Sequence, residues 1–165
     1  MRQKSMLLIA LALVAAACGG DDGDGDGDGS ERSAPEAEVY TAVIRELAPA
    51  TPGQVAEELD RDVFVGPLNE EVDLSLGVQA SVVDNLEDFA TIRFVDDKKE
   101  ALGSDETEAV IDDGVLLLLG RVPAGDSPAV RATRYVDVDD VTRFRVTVEG
   151  SGERWRVADI ETTPR

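Results

Sequence analysis

The fold is decided by residues 129–160, which read AVRATRYVDV-DD-VTRFRVTVE-GSG-ERWRVADI. Apolar and polar side chains alternate through three segments of this stretch, at 129–138, 141–149 and 153–160, and a period of two is typical of a half-buried strand. Two acidic residues separate the first pair of segments, and Gly-Ser-Gly separates the second pair, so both connections have the composition of turns. The sequence therefore predicts a three-stranded antiparallel meander.

Three further strands are predicted upstream, at about 63–65, 89–95 and 114–119. The run from Val115 to Leu119 is apolar throughout, which indicates a strand covered on both faces or at the sheet centre. The connection between Asp96 and Asp113 is rich in acidic residues and is predicted to be a solvated loop.

Helical periodicity is confined to the part of the chain that precedes residue 89. Ser33 and Glu36 form a capping box, and the apolar stripe that follows them ends before Pro49. A second, shorter helix is predicted over 51–59, and a third is predicted from an Asn69 cap onward. Helices first and a meander last predict an α+β fold, with two or three N-terminal helices packed on one face of a mainly antiparallel sheet.

The last predicted strand contains the segment ERWRV, from Glu153 to Val157. This segment is similar to the final strand of nuclear-transport-factor-2-like and cystatin-like folds. In those folds a tryptophan and a valine point into the cone formed by the sheet. The resemblance implies that Trp155 and Val157 face the core here.

Alternation in the meander also predicts one patterned surface. If the apolar residues of each strand face the core, including Val136 and Val138, the intervening side chains face outward, because successive side chains of a strand point to opposite faces. The outward set contains five arginines and a tyrosine: Arg131, Arg143, Arg145, Arg154, Arg156 and Tyr135. From Ser30 to the C-terminus the chain has 14 basic and 30 acidic residues, so positive charge is concentrated where it is scarce.

Two interpretations of this arginine face stay open. It could recognise anionic groups, on carboxylate-bearing or phosphate-bearing envelope polymers or on an acidic protein partner, because guanidinium groups bind such groups bidentately. Alternatively, the arginines could pair with the domain's own carboxylates, each pair contributing ~0–1 kcal/mol.

The amino terminus has the pattern of an export signal. Arg2 and Lys4 precede an apolar run of 12 residues from Met6 to Ala17, and Cys18 follows. As a helix with ~1.5 Å rise per residue this run spans about 18 Å, which is too short for a ~30 Å hydrocarbon core. The pattern therefore predicts a cleaved signal peptide over residues 1–17.

The residues around the cleavage site indicate a lipid anchor. Three alanines before Cys18 resemble the bacterial lipobox, in which the cysteine thiol receives a diacylglyceryl group, and the stretch GGDDGDGDGDGS that follows predicts a disordered tether through residue 34. Lipobox and tether together resemble uncharacterised lipoproteins of high-GC Gram-positive (actinobacterial) type. The resemblance implies attachment through Cys18 to the outer face of the cytoplasmic membrane, with residues 35–165 forming a single extracytoplasmic domain. The alternative is a secreted protein in which Cys18 stays a free thiol.

The tether also contains a partial calcium motif. Asp22, Asp24 and Asp26 match the start of an EF-hand loop, but that register places Ser33 where a bidentate glutamate is required. We therefore predict a spacer and no metal site.

Composition excludes several classes of chemistry. The 165 residues include no histidine and one cysteine, which rules out Ser-His-Asp and Cys-His nucleophiles and ordinary zinc sites. A formal net charge of −19 repels phosphate backbones and argues against nucleic-acid binding. No glycine motif that cradles phosphate is present, so no cofactor is predicted.

These observations predict a membrane-anchored extracytoplasmic lipoprotein whose domain binds or scaffolds rather than catalyses. Two alternatives are kept. A carboxylate-dependent hydrolase of envelope glycans would need a cleft with two facing carboxylates in unlike environments. An accessory subunit of a membrane complex would need an exposed apolar patch.

Overall fold

The computed structural model describes residues 29–54, 56–102, 109–151 and 154–164. The predicted signal peptide, Cys18 and the first part of the predicted tether lie outside these residues. The elements in chain order are α1 (Gly29–Leu47), β1 (Asp62–Pro67), α2 (Leu76–Leu86), β2 (Thr91–Phe94), α3 (Lys98–Leu102), a 3-10 turn (Ile111–Asp113), β3 (Val115–Leu119), β4 (Ala129–Tyr135), β5 (Val141–Ser151) and β6 (Arg154–Thr163).

The described strands form one mixed sheet with the order β2-β1-β3-β4-β5-β6. β1 is parallel to both of its neighbours, β2 and β3, whereas β3 to β6 run antiparallel in sequence order. The α+β fold and the closing meander are thus confirmed. All six strands that the sequence predicts are present.

The two faces of the sheet are covered differently. α1 and α2 pack on one face, which we call the inner face, and bury the main apolar core between helices and sheet. The opposite, outer face carries a smaller apolar cluster in which α3 covers Phe64 of β1 and Leu116 of β3. On β4, β5 and β6 the outer face is open to solvent at its arginines.

α3 was expected to be part of a solvated loop, and that prediction was wrong. Asp97 and Glu100 form a reciprocal cap: the Asp97 carboxylate accepts from the Lys99 amide at 2.9 Å, and the Glu100 carboxylate accepts from the Asp97 amide at 3.1 Å. The helix then buries Ala101 and Leu102 on the outer face. The Asp-x-x-Glu spacing was the signal that could have identified it.

The two other predicted helices also differ from expectation. The described residues of 51–59 form turns and bends, because Pro52 is followed by Gly53 with a φ of +82°. α2 begins at Leu76, where Ser75 provides the cap by accepting from the Val78 amide at 3.4 Å. Asn69 instead closes a turn with the Glu71 amide at 3.2 Å. Both errors came from reading turn residues as helix caps.

The first helix and the first meander strand have bounds that differ from the prediction. α1 begins at Gly29, so residues 29–34 of the predicted tether are helical, and Pro35 lies inside the helix. β4 ends at Tyr135, and Val138, predicted to face the core, is 52 % exposed. The reason is Asp137, whose side chain accepts hydrogen bonds from the amides of Asp139 and Asp140 at 2.8 Å each and turns the chain at Val138. Trp155 and Val157 pack on the inner core, as expected.

Candidate functional site: an arginine trough on the outer face

The strand register places the predicted arginines on one face of the sheet. Arg131 of β4 lies directly opposite Arg145 of β5, and Arg145 lies opposite Glu161 of β6. Two residues along, Arg143 lies between Thr133 and Thr163. All five predicted arginines are exposed.

A β-bulge places Asp159 and Glu161 on the same face as Arg154 and Arg156. The register of β5 and β6 shifts by one residue at Thr147/Val148, so that Ala158 has no direct partner. Because of this extra residue, Arg154 and Arg156 point to the same side as Asp159 and Glu161, although the two pairs differ in sequence parity. Alternation within the strand gives the outward position of Arg154 and Arg156, but it could not have given that of Asp159 and Glu161.

The outer-face arginines fall into two groups. A trough runs along β4 and β5 and is bounded by the end of β6. It consists of two adjoining grooves of about 770 Å³ and 520 Å³ that share Arg131, Thr163 and Pro164. We call it the arginine trough; its polar lining is Arg131, Thr133, Arg143, Arg145, Glu161 and Thr163.

Arg154 and Arg156 lie outside the arginine trough. Arg154 is opposite Ser151 and Arg156 is opposite Glu149, at the far end of β5. Six residues of β5 separate Arg145 from Ser151, which corresponds to roughly 20 Å at ~3.4 Å per residue. The five predicted arginines therefore share a face but do not form one site.

Tyr135, the remaining residue of the predicted site, also lies outside the trough. It is opposite Leu116 and packs against the outer apolar cluster, where it is half-buried. This position gives the ring a packing role at the boundary between the covered and the open parts of the outer face.

Charged residues of the arginine trough are cross-strand neighbours, but no ion pair joins them to another described residue. Between residues that the structure describes, ion pairs join Arg93 to Asp62 at 2.9 Å and Arg134 to Asp140 at 3.3 Å, and neither involves an arginine of the predicted site. Arg131 and Arg145 are cross-strand neighbours of like charge, an arrangement that destabilises a sheet. The pairing with internal carboxylates that formed the alternative interpretation is not seen among these residues.

The sixth arginine of the meander, Arg134, was not assigned a position by sequence reasoning. It lies on the inner face with Val130 and Ala132 and is 4 % exposed. The alternation that places Ala132 inward also places Arg134 inward, so the sequence contained the information for its inward position. Arg134 takes no part in the trough.

A separate groove of about 580 Å³ lies away from the arginine trough and is lined by carboxylates. Its acidic residues are Glu58, Asp60, Asp62, Glu87, Asp88 and Asp112. Five of them are exposed, and Asp62 is ion-paired with Arg93. A general acid needs an apolar environment, which these exposed positions do not provide. No cluster of three or more metal-ligating side chains occurs among the described residues.

Exposed apolar side chains are few in the described part of the chain. Leu76, 83 % exposed, and Val83, 40 % exposed, lie two turns apart on α2, and Val138 lies in the β4–β5 turn. No described helix is long and apolar enough to cross a membrane.

Comparison with known proteins gives no relative for this chain. It matches no protein-family model, no curated protein and no solved structure.

Proposed function

We propose that this protein is a lipid-anchored lipoprotein of the cell envelope whose domain binds anionic groups in the arginine trough. The observation that carries the proposal is the direct opposition of Arg131 and Arg145 on neighbouring strands. Two guanidinium groups in this position repel each other, and neither forms an ion pair with a described carboxylate, although Glu161 is the cross-strand neighbour of Arg145.

An anion placed between the two guanidinium groups would relieve this repulsion. Each guanidinium offers a planar fork of donors that fits a carboxylate or a phosphate, and such charge-assisted hydrogen bonds are about twice as strong as neutral ones. Both side chains are exposed, so a ligand can reach them without a conformational change. A binding role is thus better supported than a role in stability.

The lipid anchor would hold the domain at the membrane. Cys18, outside the described residues, would carry the acyl chains, and the 12 residues from Cys18 to Gly29 reach at most ~40 Å when extended. Two acyl chains hold a protein at a bilayer stably. The domain would then stay within reach of envelope polymers and membrane partners on the outer face of the cytoplasmic membrane.

The binding proposal is tested by retention on cell envelope isolated from its native host, with the full chain and each variant carrying C18S so that no lipid anchor contributes. The double variant R131S/R145S removes the opposed guanidinium groups, and R154S/R156S removes the same charge from the same face outside the trough. We expect R131S/R145S to lose retention by about tenfold or more and R154S/R156S to stay within about twofold of the unmodified protein. Equal loss in both variants would indicate unspecific attraction, and unchanged retention in R131S/R145S would refute the proposal.

The anchor is tested separately, by metabolic labelling with palmitate. The unmodified chain should incorporate label and sediment with membranes, and C18S should do neither. Label in C18S, or an unmodified chain that appears unlabelled in the culture medium, would contradict lipid anchoring. These outcomes do not bear on the trough, so the two parts of the proposal can fail independently.

A further inference from the structure

The arginine trough contains two rows of side chains that run across the strands. The first row consists of Arg131, Arg145 and Glu161, and the second consists of Thr133, Arg143 and Thr163. Consecutive rows on one face are two residues apart, or roughly 7 Å at ~3.4 Å per residue. Each row offers guanidinium donors, and the second adds two threonine hydroxyl groups.

From these rows we infer that the trough takes a compact unit with two anionic groups about 7 Å apart, an inference that rests on the proposed function. One group would lie between Arg131 and Arg145. The other would lie at Arg143, with hydroxyl donors from Thr133 and Thr163 on either side.

Among the described residues, the rows directly next to these two carry no arginine or lysine. Beyond the first row the face carries Thr147 and Asp159, and beyond the second it carries Tyr135 and Val141. A third anionic group in line would meet either a carboxylate or apolar side chains. The charge pattern therefore limits the bound unit to two anionic groups.

The carboxylates on the same face argue against a flat anionic surface as the ligand. Glu149 and Asp159 are exposed on the outer face beside the trough, and Glu161 is exposed in its first row, so a planar array of lipid headgroups would contact all three together with the arginines. The domain also carries a large excess of acidic residues, which repels any extended array of anions. A short unit that enters the trough meets Glu161 but not Glu149 or Asp159, and it is repelled less than an extended array. It can be a free small molecule or two consecutive groups of an envelope polymer.

The spacing is tested by titration calorimetry on the full chain at about 0.15 M salt, where exposed charges beyond ~8 Å are screened. The probes are propyl phosphate, with one anionic group, and propane-1,3-diyl bisphosphate, whose two phosphorus atoms are joined by six bonds and lie about 7 Å apart when extended. We expect the bisphosphate to bind about tenfold more tightly than the monophosphate. R143S should lower the affinity for the bisphosphate to that for the monophosphate, whereas R154S/R156S should leave the affinity for the bisphosphate unchanged.

Several results would overturn the inference while leaving the proposed function standing. These are equal affinity for the two probes, an unchanged bisphosphate affinity in R143S, or no binding of either probe by a protein whose envelope retention still depends on Arg131 and Arg145. Two additions distinguish the sources of the ligand. Poly(glycerol phosphate) that competes with the bisphosphate would identify a polymer, whereas displacement by phosphatidylglycerol vesicles, but not by phosphatidylcholine vesicles, would overturn the inference in favour of a membrane surface. The proposed function itself would be refuted by envelope retention that is the same in R131S/R145S and in the unmodified protein.

Discussion

The buried guanidinium of Arg134 donates a hydrogen bond from Nε to the carbonyl oxygen of Leu47 at 3.1 Å. Leu47 is the last residue of α1, and the same guanidinium donates from Nη2 to the carbonyl oxygens of Pro49 and Ala50 at 3.3 Å each. The positive charge thus lies at the negative end of the helix dipole and satisfies carbonyl groups that the helix end leaves without partners. Asp140 balances the charge at 3.3 Å. This contact fixes the end of α1 to β4, the strand that contributes Arg131 to the trough.

Replacing Arg134 should destabilise the fold strongly. R134A leaves the carbonyl oxygens of the buried residues Leu47 and Pro49 without this donor, so we expect a loss of about 2–4 kcal/mol in the free energy of unfolding, measured by urea denaturation. R134K should lose about half as much, because one ammonium group cannot reach all of these acceptors. R131A, on the same strand but exposed, is the control and should change stability by no more than about 0.5 kcal/mol. A cost for R134A as small as that for R131A would contradict the capping role.

Tyr40 gives a prediction for alkaline pH. Its hydroxyl lies 3.1 Å from the Gly120 carbonyl oxygen and 3.2 Å from the Glu36 carboxylate, and the side chain is buried. Burial, and secondarily the Glu36 charge, raise the pKa of Tyr40 well above its usual range. Because the folded pKa exceeds the unfolded value of about 10, the contribution of Tyr40 to stability is complete below pH ~10 and is lost as pH rises toward the folded value.

Comparison with Y40F isolates this effect. At pH 8 the variant should be less stable by about 1 kcal/mol, because it lacks the hydroxyl donor. Between pH ~10 and ~11 the unmodified protein should lose stability faster than Y40F, so that the difference in the free energy of unfolding narrows. Parallel curves over this range would show that Tyr40 does not titrate as a buried phenol.

Two glycines should respond to alanine in opposite directions. A Cβ at Gly120 would lie 2.8 Å from the backbone oxygen of Arg131, which cannot move aside because it accepts the Gly120 amide hydrogen bond at 2.7 Å. G120A should therefore destabilise the fold by about 2 kcal/mol or more. A Cβ at Gly77 would meet nothing within 4 Å, and the residue lies in α2, so G77A should stabilise by about 0.5 kcal/mol. Urea midpoints of the two variants show whether each substitution stabilises or destabilises the fold. Destabilisation by G77A would show that glycine is favoured at this position of α2 by something other than the space around its Cα.

Stability should depend on ionic strength. A formal charge of −19 makes the folded chain repel itself, and salt screens that repulsion. The urea midpoint should therefore rise between about 0.02 M and 0.5 M sodium chloride. Choline chloride should give the same rise if screening is the cause, whereas a rise with sodium alone would indicate specific cation binding. A midpoint that falls with both salts would contradict the prediction.

Sequence alone was sufficient for the strands and for the face on which each arginine lies. Alternation is a local property: it depends on the direction of successive side chains, and the meander retains it from Arg131 to Arg156. Turn residues were less informative, because Asn69 and Thr51 have the chemistry of helix caps and of turns alike. Only the packing around them decided which structure they formed.

The tertiary structure decided which of these side chains are neighbours. Whether Arg131 lies opposite Arg145, and whether Arg154 lies beside them or roughly 20 Å away, depends on strand register. Register is set by hydrogen bonds between segments that are distant in the chain and, on β6, by a bulge at Ala158 that no local pattern predicts. The burial of Arg134 has the same origin, since its acceptors belong to the end of a helix more than 80 residues away in the sequence. Alternation thus assigns each side chain to a face, and the long-range pairing of the strands assembles the arginines of one face into a trough.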